Sequence, residues 1–189
     1  RNVRACPAAW MEVAVDLQHA FGSYCSSGLR GAALFGDDSG HTLLHPVGRH
    51  VVSRHIDSGE VNFLSLGGGE ETSTSTVESI TTCAISRDRS FLAVGERRPK
   101  DPHATVSIYD LRVLAGSGPF KRLETFRGAG LKTCVVGVAF SADADARFLA
   151  LLTTAGAEVA LTLLDWREDR VFGRLKLDGP ADRVLISPQ

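Results

Sequence analysis

The sequence predicts an all-β fold: a partial WD40-type β-propeller of about three blades plus the first strand of a fourth. Three observations predict it. First, a pattern of short apolar runs separated by polar turns occurs twice in full and opens a third time. Second, its register marks Ser86, Ser141 and Ser187 each follow an apolar residue (Ile85, Phe140, Ile186) and stand 55 and 46 residues apart. Strands recurring in fours at roughly 40–50 residues are the pattern of propeller blades. Third, the third strand of each full copy ends in Asp, in Tyr109-Asp110 and in Leu164-Asp165-Trp166. That is a degenerate form of the Trp-Asp ending of such repeats, and the Gly-His pair that usually precedes the first strand is missing.

Residues 1–28 form an N-terminal segment whose apolar run 13–21 fits a strand or a helix. Residues 29–66 make the first blade, with strands at 31–35, 41–45, 49–56 and 61–66. Its joins are Gly36-Asp37-Asp38-Ser39-Gly40, Pro46-Val47-Gly48 and Asp57-Ser58-Gly59, all turn-forming clusters. Residues 67–79 are polar and low in complexity and read as a linker. The second blade takes 80–128, with strands at 80–86, 91–94, 105–111 and 122–126. Its inserts are 96–103, basic with two prolines, and 115–120, rich in Gly and Pro. The third blade takes 129–177, with strands at 135–141, 148–152, 159–166 and 170–177. Residues 178–189 open a fourth blade with a strand at 183–188. The turns after Ser86 and Ser141 carry Asp, whose side chain bonds the local backbone. Alternation along the strands predicts an inter-blade core of Ile85, Phe91, Val106, Ile108, Phe140, Phe148, Leu161 and Leu163.

The hydrophobic content of 43% is that of an ordinary globular domain, and the net charge of −1 supplies no global field for nucleic acid or an anionic membrane. No apolar stretch reaches the length of about 18 residues that a spanning helix needs. Four scattered cysteines, two of them (Cys83, Cys134) inside apolar strand runs, fit reduced thiols in the cytoplasm. Closed propellers hold roughly four to eight blades, so the chain is expected to be a fragment of a longer polypeptide. Expressed alone, it is expected to associate through its unpaired edges.

Chemistry is sought where residue types converge. His41, His45, His50 and His55 share the first blade, but strand residues four apart are roughly 13 Å apart. No metal site is expected from them. Gly67-Gly68-Gly69 is followed by Glu70-Glu71, which repels phosphate, where a phosphate loop needs Lys and Ser/Thr. Ser117, flanked by glycines, precedes Pro119 and reads as loop, and Thr72–76 is an ordinary hydroxyl tract. No nucleophile, base and orienting group can be assigned, so neither catalytic residues nor a cofactor is expected. The dense basic run Arg97-Arg98-Pro99-Lys100 marks a candidate partner-binding loop suited to an acidic surface.

Several segments together resemble the cilia- and flagella-associated WD-repeat protein 57 family. They are His19-Ala20-Phe21-Gly22, the run from Leu43 to Val52, Cys83-Ala84-Ile85-Ser86 with the run from Arg89 to Glu96, and the run from Ala104 to Leu111. Val138-Ala139-Phe140-Ser141, Leu163-Leu164-Asp165-Trp166 and Leu185-Ile186-Ser187-Pro188 complete the order over roughly residues 19–189. The resemblance implies an axonemal scaffold in the cytoskeleton of a cilium or flagellum. It also implies protein partners such as inner dynein arm subunits or tubulin, a downstream coiled coil, and no catalytic residues. The residues themselves leave open a cytosolic WD-repeat adaptor of the RNA-processing or ubiquitin-ligase type, or an enzyme built on a propeller. Nucleic-acid, membrane and small-molecule partners are not expected.

Overall fold

The computed structural model describes residues 34–35, 40–64, 77–98, 103–112, 121–127, 134–181 and 184–186. Its twelve strands are β1 (Leu34–Phe35), β2 (Thr42–Val47), β3 (His50–His55), β4 (Val61–Leu64), β5 (Ser79–Ile85), β6 (Phe91–Arg97), β7 (Thr105–Asp110), β8 (Lys121–Arg127), β9 (Cys134–Phe140), β10 (Phe148–Ala155), β11 (Glu158–Asp165) and β12 (Arg170–Leu177). No helix occurs among the described residues. Every ladder is antiparallel, and the strands form three sequential four-stranded sheets, β1–β4, β5–β8 and β9–β12. These are three blades of a partial propeller.

Strand limits differ from the expectations where turn-like residues continue a ladder. Pro46 and Val47, read as a join, belong to β2, and the turn is Gly48–Arg49, with Gly48 at φ +60°. The pair closing a two-residue turn, Val47↔His50, is the hydrogen-bonded one. Pro46↔Val51 is therefore the other kind, and the ladder to β3 needs no N–H from Pro46. β6 runs on through Gly95, Glu96 and Arg97, and β10 through Thr153, Thr154 and Ala155 to a turn at Gly156. Ser79, assigned to the linker, begins β5, and Val77 is buried. The expected strand at 183–188 is not formed in its described part, 184–186, although Val184 lies against Gly137 of β9. The run 13–21, most of the linker and the 115–120 insert lie outside the described residues.

The core sits between blades. Phe91, Val106 and Ile108 of the second blade pack on Val138, Phe140 and Leu149 of the third. The opposite face of the second blade, through Leu92, Val94 and Tyr109, meets Leu44 and Val51 of the first. All six residues of β7 are buried, as expected for a strand covered on both faces. Gly95 lies where β5 and β9 come together. A Cβ there would meet Thr82 Cγ2 at 2.8 Å, Thr81 Oγ1 at 2.9 Å and Val135 Cβ at 3.3 Å.

Four of the eight expected core residues, Phe91, Val106, Ile108 and Phe140, are in this core. Ile85 is half-buried beside the cluster that joins the first two blades. Phe148 and Leu161 are half-buried, and Leu163 is 38% exposed. The buried residues of β11 include Ala160, Thr162 and Leu164 instead. Because β11 is apolar on both faces, alternation alone does not say which face meets a neighbouring blade. Leu161 and Leu163 lie on the face that no described sheet covers.

Candidate functional site

The residues that looked chemically interesting in sequence divide into three groups. The first is the repeated turn. Ser86 Oγ donates to Asp88 Oδ1 at 2.5 Å and accepts the Phe91 N–H at 3.0 Å, closing the β5–β6 turn. Ser141 Oγ does the same in the next blade, donating to Asp143 and accepting the Phe148 N–H at 3.0 Å. The two register serines are thus clamps between first and second strands. The third-strand Asp works at the same rim. Asp110 accepts the Arg112 N–H at 3.0 Å and the Arg112 guanidinium at 2.9 and 2.6 Å. Asp165 accepts from the N–H groups of Arg167 and Glu168 at 3.1 and 3.2 Å and from Arg147 Nε at 2.6 Å. Trp166 Nε1 donates to the Ala146 carbonyl at 2.6 Å.

These bonds tune the acids. The Arg112 guanidinium holds Asp110, and the Arg147 guanidinium holds Asp165, below the usual carboxylate range. Burial would raise Asp88, but bonds from Ser86 and Ser90 outweigh it and leave it lowered. All three stay ionised at neutral pH and serve as turn acceptors.

The second group is the basic run. Arg97 ends β6, is exposed, and lies 3.4 Å from Glu78 Oε2. Arg98 is only 5% exposed, and its Nη2 donates to Glu96 Oε2 at 2.9 Å. Glu96 is itself 1% exposed, and its other oxygen accepts from Tyr109 Oη at 3.3 Å. Burial, and then the Glu96 charge, pushes the Tyr109 phenol upward. Arg98 therefore belongs to the interior and not to a solvated loop, which corrects its place in the candidate partner-binding surface. The i, i+2 spacing of Glu96 in β6 and Arg98 one residue past its end is the available sign, since residues so spaced on extended chain share a face. Lys100 lies outside the described residues.

The third group is the first-blade histidines. The β2–β3 register sets Thr42 opposite His55, so the His41 and His55 rings stand 6.1 Å apart between centroids. Asp57, just past β3, pairs with His41 Nδ1. His45 and His50 are elsewhere on the hairpin, and burial first, then Arg54 or Arg49, lowers their pKa values. Spacing along one strand missed the His41–His55 approach because it arises across the hairpin. Burial pushes the Cys83 thiol up to about 12, and burial also raises Cys134, so both are poor nucleophiles. Gly67, Gly68, Gly69, Ser117, Cys6 and Cys25 lie outside the described residues.

No protein-family model and no curated protein matches the chain. Solved structures do. The structure of U3-55K aligns at TM-score 0.51 and 19% identity, over 72% of this chain and 36% of that one. A chain in the crystal structure of the mitotic checkpoint complex aligns at TM-score 0.48 and 23% identity, over 70% and 34%. The β-propeller domain of the Trilobed protease from Pyrococcus furiosus aligns at TM-score 0.42 and 13% identity, over 72% and 38%. The chain thus spans little more than a third of these proteins. Three four-stranded sheets in sequential order and the likeness to U3-55K together show the fold: a partial β-propeller.

Proposed function

We propose that this chain is part of a non-catalytic scaffold that holds protein partners in a motile cilium or flagellum. One observation carries the scaffold reading. The conspicuous acids of the repeats, Asp88, Asp110, Asp143 and Asp165, are all committed to closing turns. The fold spends its ionisable groups on presenting a rigid rim, and loops on such a rim are where binding varies without disturbing the core. The ciliary part of the reading, with inner dynein arm subunits or tubulin as partners, rests on the family resemblance carried by Cys83-Ala84-Ile85-Ser86, the run from Ala104 to Leu111 and Leu163-Leu164-Asp165-Trp166. Arg97 is the exposed member of the basic run that such docking can use among the described residues, and Arg98 is not.

The test is the position of the tagged full-length protein in a ciliated cell, followed by detergent and salt extraction. Retention on the axoneme is expected. A diffuse cytosolic signal, with partners captured from soluble complexes, would overturn the ciliary role and favour a cytosolic adaptor.

A further inference from the structure

We propose that His41, His55 and Asp57 form a binding site for a divalent zinc-like metal ion on the first blade. The hairpin register brings the three residues together: His41 immediately before β2, His55 at the end of β3, and Asp57 in the turn that follows. The Ile56 N–H donates to the His41 carbonyl at 2.6 Å, fixing the backbone beneath the cluster. One ligand atom from each residue lies within 4.8 Å of the others. Bonds of about 2.0–2.2 Å from zinc to imidazole and carboxylate demand a closer set. Half-exposed His41 and exposed Asp57 have the rotamer freedom to rearrange, opening their mutual contact while the wider separations to His55 close.

The donor set selects the ion. Two imidazoles and one carboxylate suit Zn²⁺, Co²⁺, Ni²⁺ or Cu²⁺, whereas Mg²⁺ and Ca²⁺ take oxygen ligands. Asp57 already neighbours His41 Nδ1, so a negative charge is in place to attract a cation. Two local bonds must yield: the one between His41 Nδ1 and Asp57, whose shared proton leaves as the ion enters, and one at His55. The Ser58 N–H donates to His55 Nδ1 at 3.2 Å, and a neutral imidazole accepting there carries its proton on Nε2. Metal binding releases that contact and gives the ring's lone pair to the ion. Three protein ligands leave a fourth position for water or for a donor from a partner.

The experiment uses the whole chain, with Zn²⁺ followed by calorimetry and Co²⁺ by its visible d–d absorption. Binding at one ion per chain is expected, with a rise in Tm on saturation and no rise with Mg²⁺. His41→Gln and Asp57→Asn should each weaken binding by about 10–100-fold, the loss typical even of outlying groups at metal sites. Both substitutions sit on the surface, and unchanged circular dichroism would show that the variants fold. His55→Gln provides a third variant with the same expectation. Absence of saturable binding in the wild type would overturn the site. So would equal response to Mg²⁺, or zinc binding untouched in all three variants, which would assign it to the thiols.

Discussion

Glu96 and Arg98 show how much a single side chain's position decides. Both are nearly sealed from water, and Tyr109 shares the same carboxylate. Removing one partner of a buried pair leaves an uncompensated charge and costs about 3–5 kcal/mol. Arg98→Ala is therefore expected to lower stability in urea by that amount, while Glu96→Leu with Arg98→Met costs far less. A loss under about 1 kcal/mol for Arg98→Ala, the level of an exposed site, would return Arg98 to the surface. Asp165 makes a second prediction, in pH. Its folded pKa lies below the unfolded value of about 3.9, so the stability it contributes is present above that value. That stability is lost as pH falls through the lower folded pKa. Asp165→Asn cannot take up this proton, so its stability should fall less steeply than the wild type's from about pH 4 downward. Equal slopes in acid denaturation would remove Asp165 from the acid response.

At the scale of strands and turns, packing between blades is tested by two phenylalanine and leucine truncations. Phe140→Ala empties a buried position between the second and third blades and should cost about 3–5 kcal/mol. Leu163→Ala removes a side chain that is 38% exposed and should cost well under half as much. If Leu163→Ala costs as much as Phe140→Ala in the same denaturation assay, the face assigned to β11 is wrong. Much of this was legible beforehand. β12 begins and ends where the sequence places it, and the clamps at Ser86 and Ser141 sit at the serines that marked the register. What escaped has physical causes. Gly95 and Pro46 look like breakers, yet a ladder can run through a residue whose missing Cβ or N–H its neighbours do not need. The face of β11 depends on which blade arrives beside it. The meeting of His41 with His55 and Asp57 depends on a hairpin register fixed by a turn several residues away.

Over the whole molecule, the two outer blades each keep an apolar face that no described sheet covers. Phe63 is 60% exposed on the first blade and Leu175 59% on the third, with Val61, Leu163 and Phe172 beside them. Apolar sheet faces of this kind are contact surfaces. The chain is expected to self-associate in sedimentation velocity, and Phe172→Glu with Leu175→Glu should shift it toward monomer. A wild-type chain that stays monomeric at high concentration would show that these faces are tolerated in water. The middle blade has the opposite situation, with neighbours on both sides and β7 wholly covered. Amide protons report that asymmetry. The strands of the first and third blades can open by losing one neighbour, whereas freeing β7 requires both interfaces to part. In deuterium exchange the N–H groups of Val106, Ser107 and Ile108 should therefore be the last to exchange, by global unfolding, after those of β4 and β12 have gone by local fraying. The middle blade would then set the lifetime of the native state, and the outer two would act as its replaceable walls.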